Sequence, residues 1–135
     1  MGLTASLNYA SWTPTLSNNS GSCVPTINAG GYTKCQYWLQ GSLLSISGLV
    51  DMSWGATGTI GELLISYGGL VLPAQGTGGG GGYCSVYDFN SGNIQSTCIY
   101  IPSSRNFGIL TGSLQGPGAN GDRLLIQFGG LFPAV

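Results

Sequence analysis

The alternation of apolar and polar residues is clearest between positions 43 and 54. One set of alternate positions is almost wholly apolar and consists of Leu44, Ile46, Gly48, Val50, Met52 and Trp54. The other set is mostly small and polar and includes Asp51. Because successive side chains of a strand point to opposite faces, this pattern predicts a half-buried strand with Asp51 on its outward, solvated or partner-facing side. The serines, the glycine and the lack of an i, i+3, i+4 stripe disfavour a helix.

Similar patterns predict strands on both sides of this segment. Residues 32–39 and 62–67 are expected to form a three-stranded meander with it, with a turn over 56–61. Further strands are expected over 11–16, 23–27, 83–89, 94–101, 107–111 and 123–128. Loops or turns are expected at 28–31, at the glycine run 78–82, at 90–93 and at 116–121.

Two segments of the chain repeat the same order of residue types. Residues 63–73 and 124–133 each read as an apolar strand, a double glycine and an apolar tail that ends in proline. The repeat predicts two strand-and-bend units in equivalent places of two facing sheets, although strand-plus-bend sequences also recur by chance in β-proteins.

Composition is in line with an all-β protein. The 135 residues include 25 glycines and six prolines between short apolar runs, which is typical of an antiparallel β-sandwich or barrel. This length suits one domain with one core. We expect an N-terminal arm over residues 1–10 and a single β-sandwich domain over residues 11–135.

Charge is unusually scarce. Only 5% of the residues are charged and the formal net charge is −1, whereas about a quarter of the residues of a typical domain are charged. A net charge near zero promotes association. We therefore expect much of the surface to be covered by copies of the same chain or by another protein.

The same scarcity excludes several classes of partner. Three basic residues are too few for the phosphate neutralisation that nucleic-acid binding requires. No apolar run has the length of a membrane span, and the first residues lack the pattern of a secretory signal. We expect no nucleic-acid and no membrane partner.

Enzyme chemistry finds little support in the sequence. The chain has no histidine, which removes Ser-His and Cys-His catalysis, and its only carboxylates are Asp51, Glu62, Asp88 and Asp122. Asp122 is expected to form a turn or a local ion pair with Arg123. We predict a non-enzymatic protein and assign no catalytic, cofactor-binding or metal-binding residue.

The four cysteines allow two readings. If Phe89 faces Asn93 across the hairpin turn, Cys84 lies opposite Cys98, and Cys23 and Cys35 face each other similarly around the turn at 28–31; both pairs are then candidate disulfides. The alternative is four buried thiols that act as small apolar residues. In a reducing cytosol the buried thiols are favoured.

Aromatic residues supply the candidate partner contacts. Tyr83, Tyr87, Phe89 and Tyr100 alternate along the second hairpin and are candidates to line a sugar-binding or protein-binding face, the alternative being core packing and cross-strand pairing. Leu7, Tyr9 and Trp12 are candidate contacts of the N-terminal arm.

The order of motifs over residues 11–73 resembles the jelly-roll-like terminal domain of tail fibres and receptor-binding proteins of tailed bacteriophages. The matching segments are Trp12-Thr13-Pro14-Thr15-Leu16, Gly31-Tyr32-Thr33-Lys34, the strand that ends at Trp54, the turn 55–61, and the strand end from Leu64 to Leu70. The Phe128-Gly129 ending also fits. The resemblance implies a jelly-roll-like β-sandwich in a homotrimer on the virion surface, assembled in the host cytoplasm.

Two roles follow from that resemblance. The chain has no long shaft, so a capsid decoration (cement) protein bound to the outer capsid lattice is the leading hypothesis, with Met1 as the natural start and the N-terminal arm as a lattice contact. The alternative is a tail-fibre or tail-tip receptor-binding subunit that recognises a glycan or protein of the host surface. A glycan-cleaving virion enzyme ranks last.

Overall fold

The computed structural model describes residues 10–41, 43–66, 81–103, 106–109, 116–118 and 120–133. This part of the chain is all-β. Its strands are β1 (Ala10–Trp12), β2 (Leu16–Asn19), β3 (Pro25–Ile27), β4 (Lys34–Gln40), β5 (Leu43–Trp54), β6 (Gly58–Ile60), β7 (Glu62–Ser66), β8 (Gly81–Asp88), β9 (Ile94–Ser103), β10 (Asn106–Ile109), β11 (Gly116–Gly118) and β12 (Arg123–Pro133). Among the described residues no helix has the length and apolarity of a membrane span.

Most strands belong to one antiparallel sheet. Its order is β1-β4-β5-β12-β8-β9-β10-β7-β2, with β3 paired to β5 beside this path, and β11 and β6 form a separate two-stranded sheet. The two ends of the long path meet, because the Trp12 indole Nε1 donates a hydrogen bond to the Ser66 carbonyl oxygen at 3.0 Å. The sheet therefore folds over onto itself and encloses a core, which confirms an all-β sandwich; jelly-roll connectivity stays a prediction.

Strand β5 has the bounds that its alternation predicts. Leu44, Ile46, Val50, Met52 and Trp54 are all 2% exposed or less and belong to the buried core cluster. Leu63 and Ile65 of β7 enter the same cluster from the other end of the sheet path. Each of these buried aliphatic or aromatic side chains stabilises the fold by about 1.5–3 kcal/mol relative to an exposed one.

The predicted meander is wrong in its last pairing. Strand β5 pairs with β4 and β12, whereas β7 pairs with β10 and β2. The predicted turn over 56–61 contains strand β6, which pairs with β11 inside the predicted loop over 116–121. These pairings join segments far apart in sequence, so the local pattern does not contain them.

Strand β12 lacks the predicted double-glycine bend. Gly129 and Gly130 continue the strand, paired with Ser47 and Ile46 of β5 on one side and with Tyr83 and Gly82 of β8 on the other. The ladders on both sides hold the two glycines extended. The corresponding glycines at 68 and 69 lie outside the described residues.

The turn at 28–31 is an interruption rather than a hairpin. Strands β3 and β4 both run antiparallel to β5 along the same edge, β3 against residues 52–54 and β4 against residues 43–49. The chain between them leaves the edge opposite Asp51 and returns to it. This loop, residues 28–33, positions part of the site described below.

Candidate binding face

The side of the central strands that points away from the core is here called the outer face. Every second residue of strands β4, β5, β12, β8 and β9 belongs to it. One row of paired residues across the face consists of Lys34, Leu49, Gln127 and Ser85. Exposed apolar side chains recur on it: Leu43 is 51% exposed, Leu131 57%, Tyr83 56% and Ile94 69%. An apolar, weakly charged sheet face of this kind is suited to contact with another surface.

One ion pair is set into this face. Arg123 of β12 donates from Nε to Asp51 Oδ1 at 2.9 Å and from Nη2 to Asp51 Oδ2 at 2.6 Å. The Asp51 side chain is fully buried, whereas that of Arg123 is 39% exposed. The two-point geometry is the strong, directional form of an arginine–carboxylate contact.

Asp51 also fixes the loop 28–33. Its two carboxylate oxygens accept hydrogen bonds from the Asn28 side-chain amide at 2.8 Å and from the Tyr32 backbone N–H at 3.2 Å. Its backbone N–H donates to Thr33 Oγ1 at 3.0 Å, and its carbonyl oxygen accepts the Asn28 N–H at 2.9 Å. The loop thus supplies the edge hydrogen bonds that a continuous strand would have made.

Close approach of the loop to the carboxylate requires Gly31. A side-chain carbon at this position would lie 2.5 Å from Asp51 Oδ2 and 2.9 Å from Asp51 Cγ. Both distances are shorter than real contacts, so only glycine lets the backbone pass here. The result is a rigid support for the neighbouring Tyr32, whose ring is 64% exposed.

The pKa of the Asp51 carboxyl is held well below its usual range. The largest cause is the pair of hydrogen bonds from Arg123, assisted by those from Asn28 and the Tyr32 N–H, while burial acts in the opposite direction. Asp51 is therefore ionised at all ordinary pH values. The expectation of a solvated Asp51 is corrected, since its carboxylate is buried and pairs with Arg123.

A shallow groove runs beside this ion pair. Its volume is about 340 Å³, and its lining combines polar and apolar residues: Tyr32, Lys34, Gln36, Ser47, Gly48, Leu49, Tyr83, Gln127 and Phe128. A smaller hollow of about 150 Å³ adjoins it near Tyr87, Ile94 and Leu125. The groove combines two exposed aromatic rings, two amides, one hydroxyl and one ammonium group.

The Tyr83 ring is seated on a glycine. A side-chain carbon at Gly129 would lie 2.8 Å from the Tyr83 hydroxyl oxygen and 3.0 Å from its Cζ. Because Gly129 has no side chain, the ring lies across β12 toward the groove. The double glycine at 129 and 130 predicts a bend, whereas in the structure Gly129 makes room for the Tyr83 ring.

Phe89, another aromatic of the hairpin, packs against Arg123. The Arg123 Cζ lies 4.3 Å from the centroid of the Phe89 ring, a cation–π distance, and the Phe89 and Tyr87 rings meet edge to face at 4.9 Å. Phe89 is 39% exposed and Tyr87 is half-buried. Tyr83 and Phe89 are therefore accessible on the surface, and their role as partner contacts stays a prediction.

The remaining predicted contacts divide into two groups. Trp12 is 7% exposed and lies in the core, so its prediction as a partner contact is wrong. Leu7, Tyr9 and the rest of the arm over residues 1–9 lie outside the described residues, as does the side chain of Tyr100. Tyr32, Lys34 and Gln127 were not predicted, because they come together only when β4 and β12 flank β5.

Both predicted cysteine pairings are corrected. The hairpin register places Cys84 opposite Thr97 and Tyr83 opposite Cys98, one residue away from the predicted register. Cys35 lies opposite Gly48 in the middle of β5, whereas Cys23 precedes β3, which begins opposite Trp54 at the end of β5. The six residues of β5 between these two points span roughly 20 Å. Cys23, Cys35 and Cys84 are buried thiols, in agreement with the favoured alternative; the side chain of Cys98 is outside the described residues.

Among the described residues no three His, Cys, Asp or Glu side chains come together as metal ligands would. Comparisons with known proteins found no family model, no curated protein and no solved structure that matches this chain.

Proposed function

We propose that the protein is a non-enzymatic virion surface protein that assembles as a homotrimer, with capsid decoration as its role. The observation that carries the proposal is the outer face, where large apolar side chains are more than half exposed on a chain of which only 5% is charged. Covering such a face is favourable because it removes apolar surface from water. A net charge of −1 causes little repulsion between two copies of the chain.

The self-contact is assigned to the end of the outer face that carries Leu43 and Leu131. The ladder pairs Leu131 with Ser45 and Leu43 with Pro133, which makes the two leucines diagonal neighbours on one face. Both are more than half exposed. No charged residue of the sequence lies within two positions of either leucine, so apolar contact between copies meets no local charge at this end.

Sedimentation of the purified chain tests this assembly. The expected species has about three times the 13.8 kDa mass of one chain at micromolar concentration. A double variant Leu43→Lys with Leu131→Lys is expected to be monomeric, while Val24→Lys, at a 58% exposed apolar residue beside the opposite end of β5, is expected to stay trimeric. A wild-type monomer, or equal assembly of both variants, contradicts the proposal.

The decoration role predicts a copy number. Quantitative mass spectrometry of purified virions is expected to find the chain in fixed proportion to the major capsid protein, at hundreds of copies. A handful of copies per virion, as for a tail subunit, contradicts capsid decoration.

A receptor-binding subunit is the second candidate function. The observation that favours it is the groove between Tyr32 and Tyr83, which offers aromatic rings and hydrogen-bonding groups in one place. Binding of the purified trimer to host cells, with competition against infection, tests this role. Absence of both binding and competition excludes it.

A further inference from the structure

We infer that the groove between Tyr32 and Tyr83 is a binding site for an acidic saccharide. The inference rests on and deepens the second candidate function, because it names the chemical class of the ligand. It does not depend on the contact through Leu43 and Leu131.

Size and shape favour one or two sugar rings. The groove, at about 340 Å³, lies at the lower end of the volumes of small-molecule sites, and it is open along the sheet rather than enclosed. Tyr32 and Tyr83 are 64% and 56% exposed, so both offer an uncovered ring to a ligand. Tyrosine presents an apolar body with a polar tip, which suits a sugar that has C–H groups on its face and hydroxyls at its rim.

The polar side chains between the two rings can form hydrogen bonds with sugar hydroxyls. Gln36, Gln127 and Ser47 line the groove, and their side chains both donate and accept hydrogen bonds. Gln127 and Ser47 are exposed, so their groups are available to a ligand.

Charge selects an acidic sugar. Lys34 is exposed at the groove, and among the described residues it takes part in no ion pair. The nearest structural carboxylate on this face, Asp51, is already neutralised by Arg123. The groove therefore presents one uncompensated ammonium group, which is complementary to the carboxylate of a uronic or sialic acid.

The site is held in shape before a ligand arrives. The Tyr32 N–H is fixed by Asp51 Oδ2 at 3.2 Å, and the Tyr83 ring is seated over Gly129. The backbone of Tyr32 and the ring of Tyr83 are thus positioned by contacts within the protein. Such preorganisation reduces the ordering cost of binding.

The test is titration calorimetry and saturation-transfer NMR of the full chain with defined tetrasaccharides. The probes contain glucuronate, galacturonate or sialate, each paired with its carboxyl-reduced counterpart, which keeps the hydroxyls and loses the charge. At least one acidic probe is expected to bind, and its reduced counterpart is expected to bind about tenfold or more weakly, as for loss of one charge-assisted hydrogen bond.

Three variants locate the binding. Lys34→Gln is expected to weaken the acidic probe about tenfold and leave the reduced probe unchanged, because only the charge is lost. Tyr83→Ala and Gly129→Ala are expected to abolish binding of both, the first by removing the ring and the second by displacing it. Ile94→Ser, at an exposed position of the same face outside the groove, is the matched control and is expected to bind like the wild type.

Several results would overturn the inference. They are no binding by any acidic probe, equal binding of acidic and reduced probes, or unchanged binding in Lys34→Gln and Gly129→Ala variants whose melting curves match the wild type. Lys34→Gln alters an exposed side chain, so the test does not depend on variants with folding defects. A trimer on the capsid that binds no saccharide would remove this inference and leave the decoration proposal intact.

Discussion

Arg123 and Asp51 form a two-point ion pair between neighbouring strands, with Nε–Oδ1 and Nη2–Oδ2 distances of 2.9 and 2.6 Å. The ladder pairs Arg123 with Ser53, so Asp51 is its diagonal neighbour across β5 and β12. The carboxylate is fully buried and also holds the loop 28–33. One acidic residue therefore connects two strands and the loop that carries Tyr32.

Removal of that carboxylate is expected to be costly. Asp51→Asn should lower the free energy of unfolding at neutral pH by about 2–4 kcal/mol, because it breaks a buried pair and the loop contacts that depend on it. Urea unfolding monitored by tryptophan fluorescence measures the change. Glu62→Gln is the matched control, since Glu62 Oε1 makes no hydrogen bond; equal losses for both variants would contradict the role of Asp51.

The Asp51–Arg123 ion pair also predicts that the free energy of unfolding falls in acid. Since the pKa of Asp51 is lower in the folded state, the unfolded chain binds more protons in acid, and stability rises with pH there. The contribution is complete above the usual carboxyl pKa of about 4 and is lost as the pH falls toward the folded-state value. Unfolding curves from pH 7 to pH 2 should show wild type and Asp51→Asn converging in acid; a constant difference would contradict the assignment.

Two glycines of the central strands differ in what an added methyl group would meet. At Gly48 the methyl group would overlap the ring of Phe128, which is 1% exposed and enclosed by the core. At Gly129 the methyl group would meet the outer end of the exposed Tyr83 side chain. Gly48→Ala should therefore destabilise the fold by about 1–3 kcal/mol, and Gly129→Ala clearly less. Thermal melts of the two variants compare them directly, and Phe128→Leu should partly rescue Gly48→Ala. Equal melting temperatures would contradict this packing.

The thiol of Cys35 is expected to be inert in the folded protein. Burial raises its pKa to about 12, so almost no thiolate exists at pH 8. Iodoacetamide should leave Cys35 unmodified in the native chain and alkylate it fully in urea, as read by peptide mass mapping. Recovery of Cys35 in a disulfide, or rapid native alkylation, would contradict the structure.

The sequence patterns predicted the structural features that depend on residues close together along the chain. The alternation in β5 set its bounds and its buried face, because period-two burial is a local property of one strand. The positive φ of 88° at Gly121 likewise agrees with the Asn-Gly turn predicted there.

Interactions between distant segments were not predictable in this way. Asp51 is polar and lies on the outward set of positions, and its burial is made favourable chiefly by Arg123, 72 positions later. The hairpin register moved by one residue because Asp88, rather than Phe89, closes the turn: its N–H donates to the Asn93 carbonyl at 2.9 Å, and its carboxylate accepts the Asn90 N–H at 2.8 Å. That shift alone separates Cys84 from the position opposite Cys98.

The most direct test of the proposed function is gold-labelled antibody against this chain on intact virions, viewed by electron microscopy. Label is expected to spread over the capsid, in keeping with a trimer that covers its apolar outer face by assembly. Label confined to the tail would contradict capsid decoration and favour the receptor-binding role. Virions that carry no label, with the chain absent from their protein content, would contradict a virion surface protein altogether.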